Sequence, residues 1–216
     1  EALADAPCVV ADLRESENTA RLRAIGIPVF AAGHRAEHVA GADVVVYSSA
    51  VDEENPEVEA ARAAGIPVIK RAEMLAEVMR VKTGIAIAGT HGKTTTTSMT
   101  GSILQAAGLD PTIVVGGRVR AMGTNACLGK GALLVAEADE FDRSFLRLRP
   151  VVAVVNNIDL EHLDTYRDLA DLKSAFTEFA ATVPFFGAAL LGLDDPNVQE
   201  IRPVLSARVR VATFGL

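Results

Sequence analysis

Gly89-Thr90-His91-Gly92-Lys93-Thr94-Thr95 joins two unlike stretches of the chain. Before it, Gly84-Ile85-Ala86-Ile87-Ala88 is apolar and reads as a buried strand; after it, Thr94 to Ala107 reads as a helix closed by Gly108. A glycine turn between a strand and a helix N-terminus aims backbone N–H groups and the positive end of the helix dipole at one anion. Lys93 adds a mobile point charge that can follow a β- or γ-phosphate. The hydroxyl of Thr94 stands where a phosphate-bound Mg²⁺ needs an oxygen ligand. These seven residues therefore predict a phosphate cradle with room for a phosphate-bound Mg²⁺. The general P-loop pattern asks for a glycine five residues before Gly92, where Ile87 stands, so only its Gly-Lys-Thr core is kept. Threonine is a mediocre helix former, so Thr94 to Thr97 are a poor choice for helicity alone. An ordinary strand–helix turn with a capping threonine is the plain alternative.

Two further apolar runs end in groups that could serve the same anion. Ala132 to Ala136 leads into Glu137-Ala138-Asp139-Glu140-Phe141-Asp142, four acids in six residues. A hard cation takes carboxylate oxygens, and Glu137, first out of the strand, is the leading ligand candidate; a solvated charged loop is the alternative. Val151 to Val155 leads into Asn156-Asn157-Ile158-Asp159-Leu160-Glu161-His162. A neutral His162 imidazole could hold a second divalent ion, or simply face solvent. Asp12 ends a short strand at 8–11, where an acid can meet a ribose or base, and a solvated loop aspartate accounts for it as well. Ser48-Ser49-Ala50 follows strand 44–47, at the end of a strand where open α/β sheets bind ligands.

The elements that must position these groups alternate. Strands are expected at 8–11, 28–30, 44–47 and 67–69, with helices at about 18–25, 55–64 and 72–79 and the tail of another at 1–7. Asn55-Pro56-Glu57 is a marked helix start. Val81-Lys82-Thr83 reads as a hinge into a second α/β unit with strands at 84–88, 113–115, 132–136, 151–155, 188–191 and 209–212. Helices at 94–107, 169–181 and 197–205 accompany them, and a glycine-rich passage fills 116–131. The apolar runs at 132–136 and 151–155 suit strands buried on both faces. The fold class is α/β: a doubly wound parallel sheet up to residue 82, followed by a second α/β unit of P-loop type.

The net charge of −7 and the lack of a basic run exclude a nucleic-acid binder, so any phosphate must be held by local donors. Two distant cysteines, Cys8 and Cys127, make no metal spacing and read as reduced, pointing to the cytoplasm. No apolar run reaches the length of a membrane span. The first residue, Glu1, is not methionine, which suggests a fragment.

Gly-Thr-His-Gly-Lys-Thr-Thr-Thr-Thr at 89–97 resembles the ATP loop of the Mur ligases. Glu-Ala-Asp-Glu-x-Asp-x-Ser-Phe-Leu at 137–146 is similar to the second segment of that family. Asn-Ile-Asp-x-x-His-Leu-Asp at 157–164 is similar to the third, whose histidine binds Mg²⁺. Gly123-Thr124-Asn125-Ala126 and Arg71-Ala72-Glu73-Met74-Leu75 resemble the alanine-adding branch. Phe141 replaces a serine common in the family, and Glu161 the aspartate that usually precedes the histidine. The resemblance implies ATP-dependent ligation of L-alanine to UDP-N-acetylmuramate through an acyl phosphate, in peptidoglycan synthesis. It implies Lys93, Glu137 and His162 as catalytic groups, with Thr94, Glu137 and His162 on Mg²⁺. It also implies Asp12, Ser48, Ser49, Thr124 and Asn125 near the sugar nucleotide. The implied domains are a Rossmann-like one over 1–82, without its first strand and glycine loop, and an incomplete ATP-binding central domain over 83–216. An amino-acid-binding C-terminal domain is expected to be absent, and the chain alone to be inactive as a ligase. A murein-peptide ligase acting on the same sugar nucleotide, and a non-catalytic nucleotide-binding module, stay open beside this reading.

Overall fold

A computed structural model describes residues 7–119, 124–161 and 163–216. The expected helix tail at 1–7 lies almost entirely outside them, as does His162. The chain divides into two compact units, Glu1–Met74 and Leu75–Leu216.

The first unit holds β1 (Val10–Ala11), α1 (Glu17–Ala24), β2 (Val29–Phe30), a 3-10 turn at Ala36–Val39, β3 (Val45–Tyr47), α2 (Pro56–Ala63) and β4 (Val68–Lys70). Its four short strands pair two by two, β1 with β2 and β3 with β4, both parallel. Local signals place its helices. Ser16 Oγ accepts from Thr19 N at 3.2 Å while Thr19 Oγ1 accepts from Ser16 N at 2.7 Å, a reciprocal capping box that starts α1. Asn55 Oδ1 accepts from Glu57 N at 2.9 Å and Pro56 fills the first helical position of α2. Helix α3 (Arg71–Arg80) carries the chain across the division.

The second unit is built on one seven-stranded sheet. Its elements are β5 (Thr83–Ala88), α4 (Lys93–Ala106), β6 (Thr112–Val119), β7 (Thr124–Cys127), β8 (Leu133–Glu137), β9 (Val152–Val155), α5 (Leu169–Ala180), β10 (Ala188–Gly192), α6 (Pro196–Ser206) and β11 (Val211–Phe214). The strand order is β11-β10-β9-β5-β8-β6-β7. Every neighbouring pair is parallel except β6 and β7. The glycine-rich passage at 116–131 contributes β7 and lengthens β6. Fully apolar strands meet helices on their faces: Leu172, Ala175, Phe176 and Phe179 of α5 are buried at three- and four-residue spacing. They pack against Phe145, whose ring lies 5.1 Å from Phe179 and 5.4 Å from Phe176. A 3-10 turn at Ser144–Arg147 presents Phe145 to that core.

Strand β5 sits between β8 and β9, so the chain leaves it on one side and later returns on the other. That reversal opens a crevice at the carboxyl ends of the strands, where doubly wound sheets bind ligands. Register brings Ile87 opposite Glu137 and Ala88 opposite Val155. Ile87, where a longer phosphate loop would have glycine, is a fully buried strand residue, so the loop proper begins at Gly89.

Candidate active site

The cradle is held open by its neighbours. Gly89 has φ +139°, and a Cβ there would lie 2.9 Å from Asn156 Cβ, a close approach that requires glycine. Thr90 Oγ1 accepts from Asp159 N at 2.8 Å, and Thr90 N donates to Asn157 O at 3.2 Å. His91 N donates to Asn157 Oδ1 at 2.7 Å, and Asn157 Nδ2 donates back to His91 O at 3.2 Å. The loop after β9 thus grips the first half of the turn. Gly92, at φ +77°, is the N-cap of α4, and no side chain caps that helix among the described residues. The first helical N–H groups have no acceptor within the helix, so the N-terminus at Gly92–Thr95 has the donors to receive an anion.

The four threonines divide the work. Thr94 Oγ1 donates to the Glu137 carboxylate, at 3.0 Å from Oε2 and 3.2 Å from Oε1. Thr95 is exposed, Thr96 Oγ1 accepts from Asn156 Nδ2 at 3.1 Å, and Thr97 is buried. Gly116 N donates to Glu137 Oε2 at 2.8 Å and so orients the carboxylate. The Thr94 hydroxyl in contact with the Glu137 carboxylate puts two hard oxygen donors together beside the helix N-terminus. That donor set fits Mg²⁺, which takes one or two protein oxygens and completes its octahedron with water and phosphate. Among the described residues no three His, Cys, Asp or Glu side chains converge into an all-protein metal cage.

Lys93 Nζ donates to Gly89 O at 2.8 Å, to Thr90 O at 3.2 Å and to Glu140 Oε1 at 3.0 Å. Glu140, a contact of Lys93, was concealed by the acid run. Four acids in six residues look alike by spacing, and only packing buries this one to 1% exposure. Burial pushes its carboxyl above the usual range, while the Lys93 ammonium pulls the other way. Asn156 and Asn157 were also unassigned by sequence; two amides directly after a buried strand were the signal available.

Thr124 begins β7 opposite Val119 of β6, and Asn125 next to it is exposed. Asp12 follows β1 in the first unit, its carboxylate accepting from Arg14 N at 3.3 Å. Ser48 follows β3, with Oγ accepting from Ala50 N at 3.1 Å, and Ser49 is exposed.

The Mur ligase middle domain matches residues 87–216, and the Mur ligase family catalytic domain matches residues 11–83. The chain belongs to the Mur ligase family. Within it, the chain is similar to a UDP-N-acetylmuramate–L-alanine ligase from Sorangium cellulosum, 63% identical over 95% of this chain and 43% of the relative. It therefore spans under half the length of the curated relatives it matches. A solved UDP-N-acetylmuramate:L-alanyl-γ-D-glutamyl-meso-diaminopimelate ligase from Neisseria meningitides superposes with a TM-score of 0.82 at 30% identity, over 96% of this chain and 70% of that one. A UDP-N-acetylmuramate–alanine ligase from Thermotoga maritima gives 0.78 at 29% identity, over 89% and 45%. The Mur ligase fold accounts for the Rossmann-like and ATP-binding α/β parts that the sequence predicts.

Proposed function

We propose that this chain is the nucleotide-binding part of a cytoplasmic ligase that joins L-alanine to UDP-N-acetylmuramate with ATP, in peptidoglycan synthesis. The observation that carries this reading is the convergence of Lys93, Thr94 and Glu137 at the carboxyl edge of β5 and β8. The likeness to alanine ligases at 63% identity supports the amino acid. The domain limits we propose are 1–82 and 83–216.

In this reaction the lactyl carboxylate attacks the γ-phosphorus, giving an acyl phosphate and ADP; the alanine amine then attacks the acyl carbon and phosphate leaves. Charge grows on the transferring oxygens, so fixed cations and N–H donors are the main catalytic resource. Lys93 neutralises the β/γ oxygens, and the Gly92–Thr95 N–H groups hold the phosphate in place. Thr94 and Glu137 would hold Mg²⁺, which supplies further charge neutralisation there. His162 is assigned a second divalent ion, and Asp12, Ser48, Ser49, Thr124 and Asn125 the sugar nucleotide.

A second reading, ligation of a recycled peptide to the same sugar nucleotide, is favoured by the likeness to the Neisseria enzyme. The deciding experiment incubates the full-length protein with ATP, Mg²⁺ and UDP-N-acetylmuramate, adding either L-alanine or L-alanyl-γ-D-glutamyl-meso-diaminopimelate, and weighs the product by mass spectrometry. The alanine adduct is expected. The tripeptide adduct alone would establish the second reading, and nucleotide binding with neither product would leave a binding module.

A further inference from the structure

We propose that Glu140 is the positioning residue for Lys93, a buried carboxylate that fixes where the cradle holds its ammonium. The proposal rests on the reading of the cradle as the ATP site.

A lysine is a point charge on a flexible stem with three donors, so its direction must come from its acceptors. Two of the acceptors here, Gly89 O and Thr90 O, belong to the same turn and move with it. Glu140 comes from a different segment, and both of its oxygens lie near Nζ, Oε1 at 3.0 Å and Oε2 at 2.9 Å. That segment also carries Glu137 three residues earlier, which meets Thr94 on the other flank of the same helix turn. The ammonium and the metal-binding carboxylate are thereby tied to one stretch of chain after β8 and keep a constant separation.

The stretch is itself braced. The Tyr166 hydroxyl, wholly buried, donates to Glu140 O at 2.6 Å, and Arg143 N donates to the same carbonyl at 3.1 Å. The Arg143 guanidinium lies 4.7 Å above the Tyr166 ring and 2.6 Å from Asp171 in the first turn of α5. A continuous set of contacts therefore runs from α5 through Tyr166 and Glu140 to Lys93. A buried ion pair adds little net stability, because desolvation offsets its Coulomb attraction. With side-chain exposures of 12% for Lys93 and 1% for Glu140, stability alone is a weak reason for the pair to exist. Its location on the phosphate lysine supplies the reason.

The test compares Lys93→Ala, Glu140→Ala, Glu140→Gln and the Lys93→Ala/Glu140→Ala double variant in the full-length protein. Phosphate release is measured with ATP, Mg²⁺, UDP-N-acetylmuramate and L-alanine, alongside thermal melts and MgADP titrations. Glu140→Ala is expected to lower kcat by about 10- to 100-fold through misplacement of the ammonium, with a smaller change in KM for ATP. Gln keeps an acceptor oxygen and should lose less. Because Glu140 acts through Lys93, the double variant should be no worse than Lys93→Ala. Where turnover of Lys93→Ala is too low to follow, the same cycle is read from MgADP affinity. Equal losses from Glu140→Ala in the presence and absence of Lys93 would overturn the proposal, as would a Gln variant as impaired as Ala with a matching fall in Tm. Wild-type turnover in Lys93→Ala would instead remove the cradle reading underneath it.

Discussion

Thr94 and Glu137 touch each other, and that contact sets what their loss should do. A hydroxyl and a carboxylate 3.0 Å apart hold each other in the orientation an oxygen-seeking cation needs. Thr94→Val and Glu137→Gln are each expected to raise the Mg²⁺ concentration for half-maximal activity by about tenfold or more, in line with lost metal ligation. Mg²⁺ titrations that overlay the wild type in both variants would return the pair to an ordinary polar contact. Asp171 makes a second claim. The Arg143 guanidinium beside it, with help from the Arg167 N–H, lowers its carboxyl to about 2. In the unfolded chain the group titrates near 3.9. Its folded value is the lower one, so its contribution to stability is complete above about pH 4 and is lost as pH falls through about 2. Denaturation followed from pH 5 to pH 2 should show a steeper acid limb in the wild type than in Asp171→Asn; parallel limbs would refute it.

The carboxyl ends of β5 and β9 must nearly touch for the loop after β9 to hold Thr90 and His91, and Gly89 is where they do. Alanine there meets two obstacles, a φ of +139° that side chains rarely adopt and a Cβ 2.9 Å from Asn156 Cβ and 3.2 Å from the Asn156 and Asn157 nitrogens. Strain of this kind costs on the order of 1–3 kcal/mol. Relief requires the two strand ends to part, which displaces the N–H groups at Gly92–Thr95. Gly89→Ala is expected to weaken MgADP binding by at least about tenfold while lowering Tm by only a few degrees. Titration calorimetry and a thermal melt on the same sample check the split. A large Tm loss with unchanged affinity would show that the glycine serves packing rather than the cradle.

The two units differ in how much they bury. Among the described residues the first unit has four buried side chains, Thr19, Val39, Val58 and Ala61, and strands of two or three residues. The second encloses a continuous core from Ala76 to Leu205 around a seven-stranded sheet. Local opening is easiest where little apolar surface is buried. Amide hydrogen exchange in the β1–β4 strands of this chain should be at least about tenfold faster than in β5, β8 and β9, since each 1.4 kcal/mol of opening free energy is a factor of ten. Equal protection in both sets would show that the first unit draws stability from elsewhere. Among the described residues no helix is long and apolar enough to cross a membrane.

What could be read from the sequence was local. A strand, a glycine turn and a helix start lie together in 84–107, so this strand–turn–helix unit was legible without any long-range knowledge. The caps at Asn55 and Pro56 and the apolar strands at 132–136 and 151–155 were legible for the same reason. Glu137 stood out because it directly follows the apolar run 132–136, and it ends β8. Tertiary structure alone decided the rest, because pairing order and burial depend on residues far apart in the chain. It set β8 and β9 on either side of β5, turned part of the glycine-rich passage into antiparallel β7, and brought Asn156 and Asn157 against the turn. It also singled out Glu140 among four similar acids. Spacing cannot distinguish a solvated carboxylate from one enclosed beneath a lysine; only the packing of Tyr166 and the segment after β8 excludes water from it.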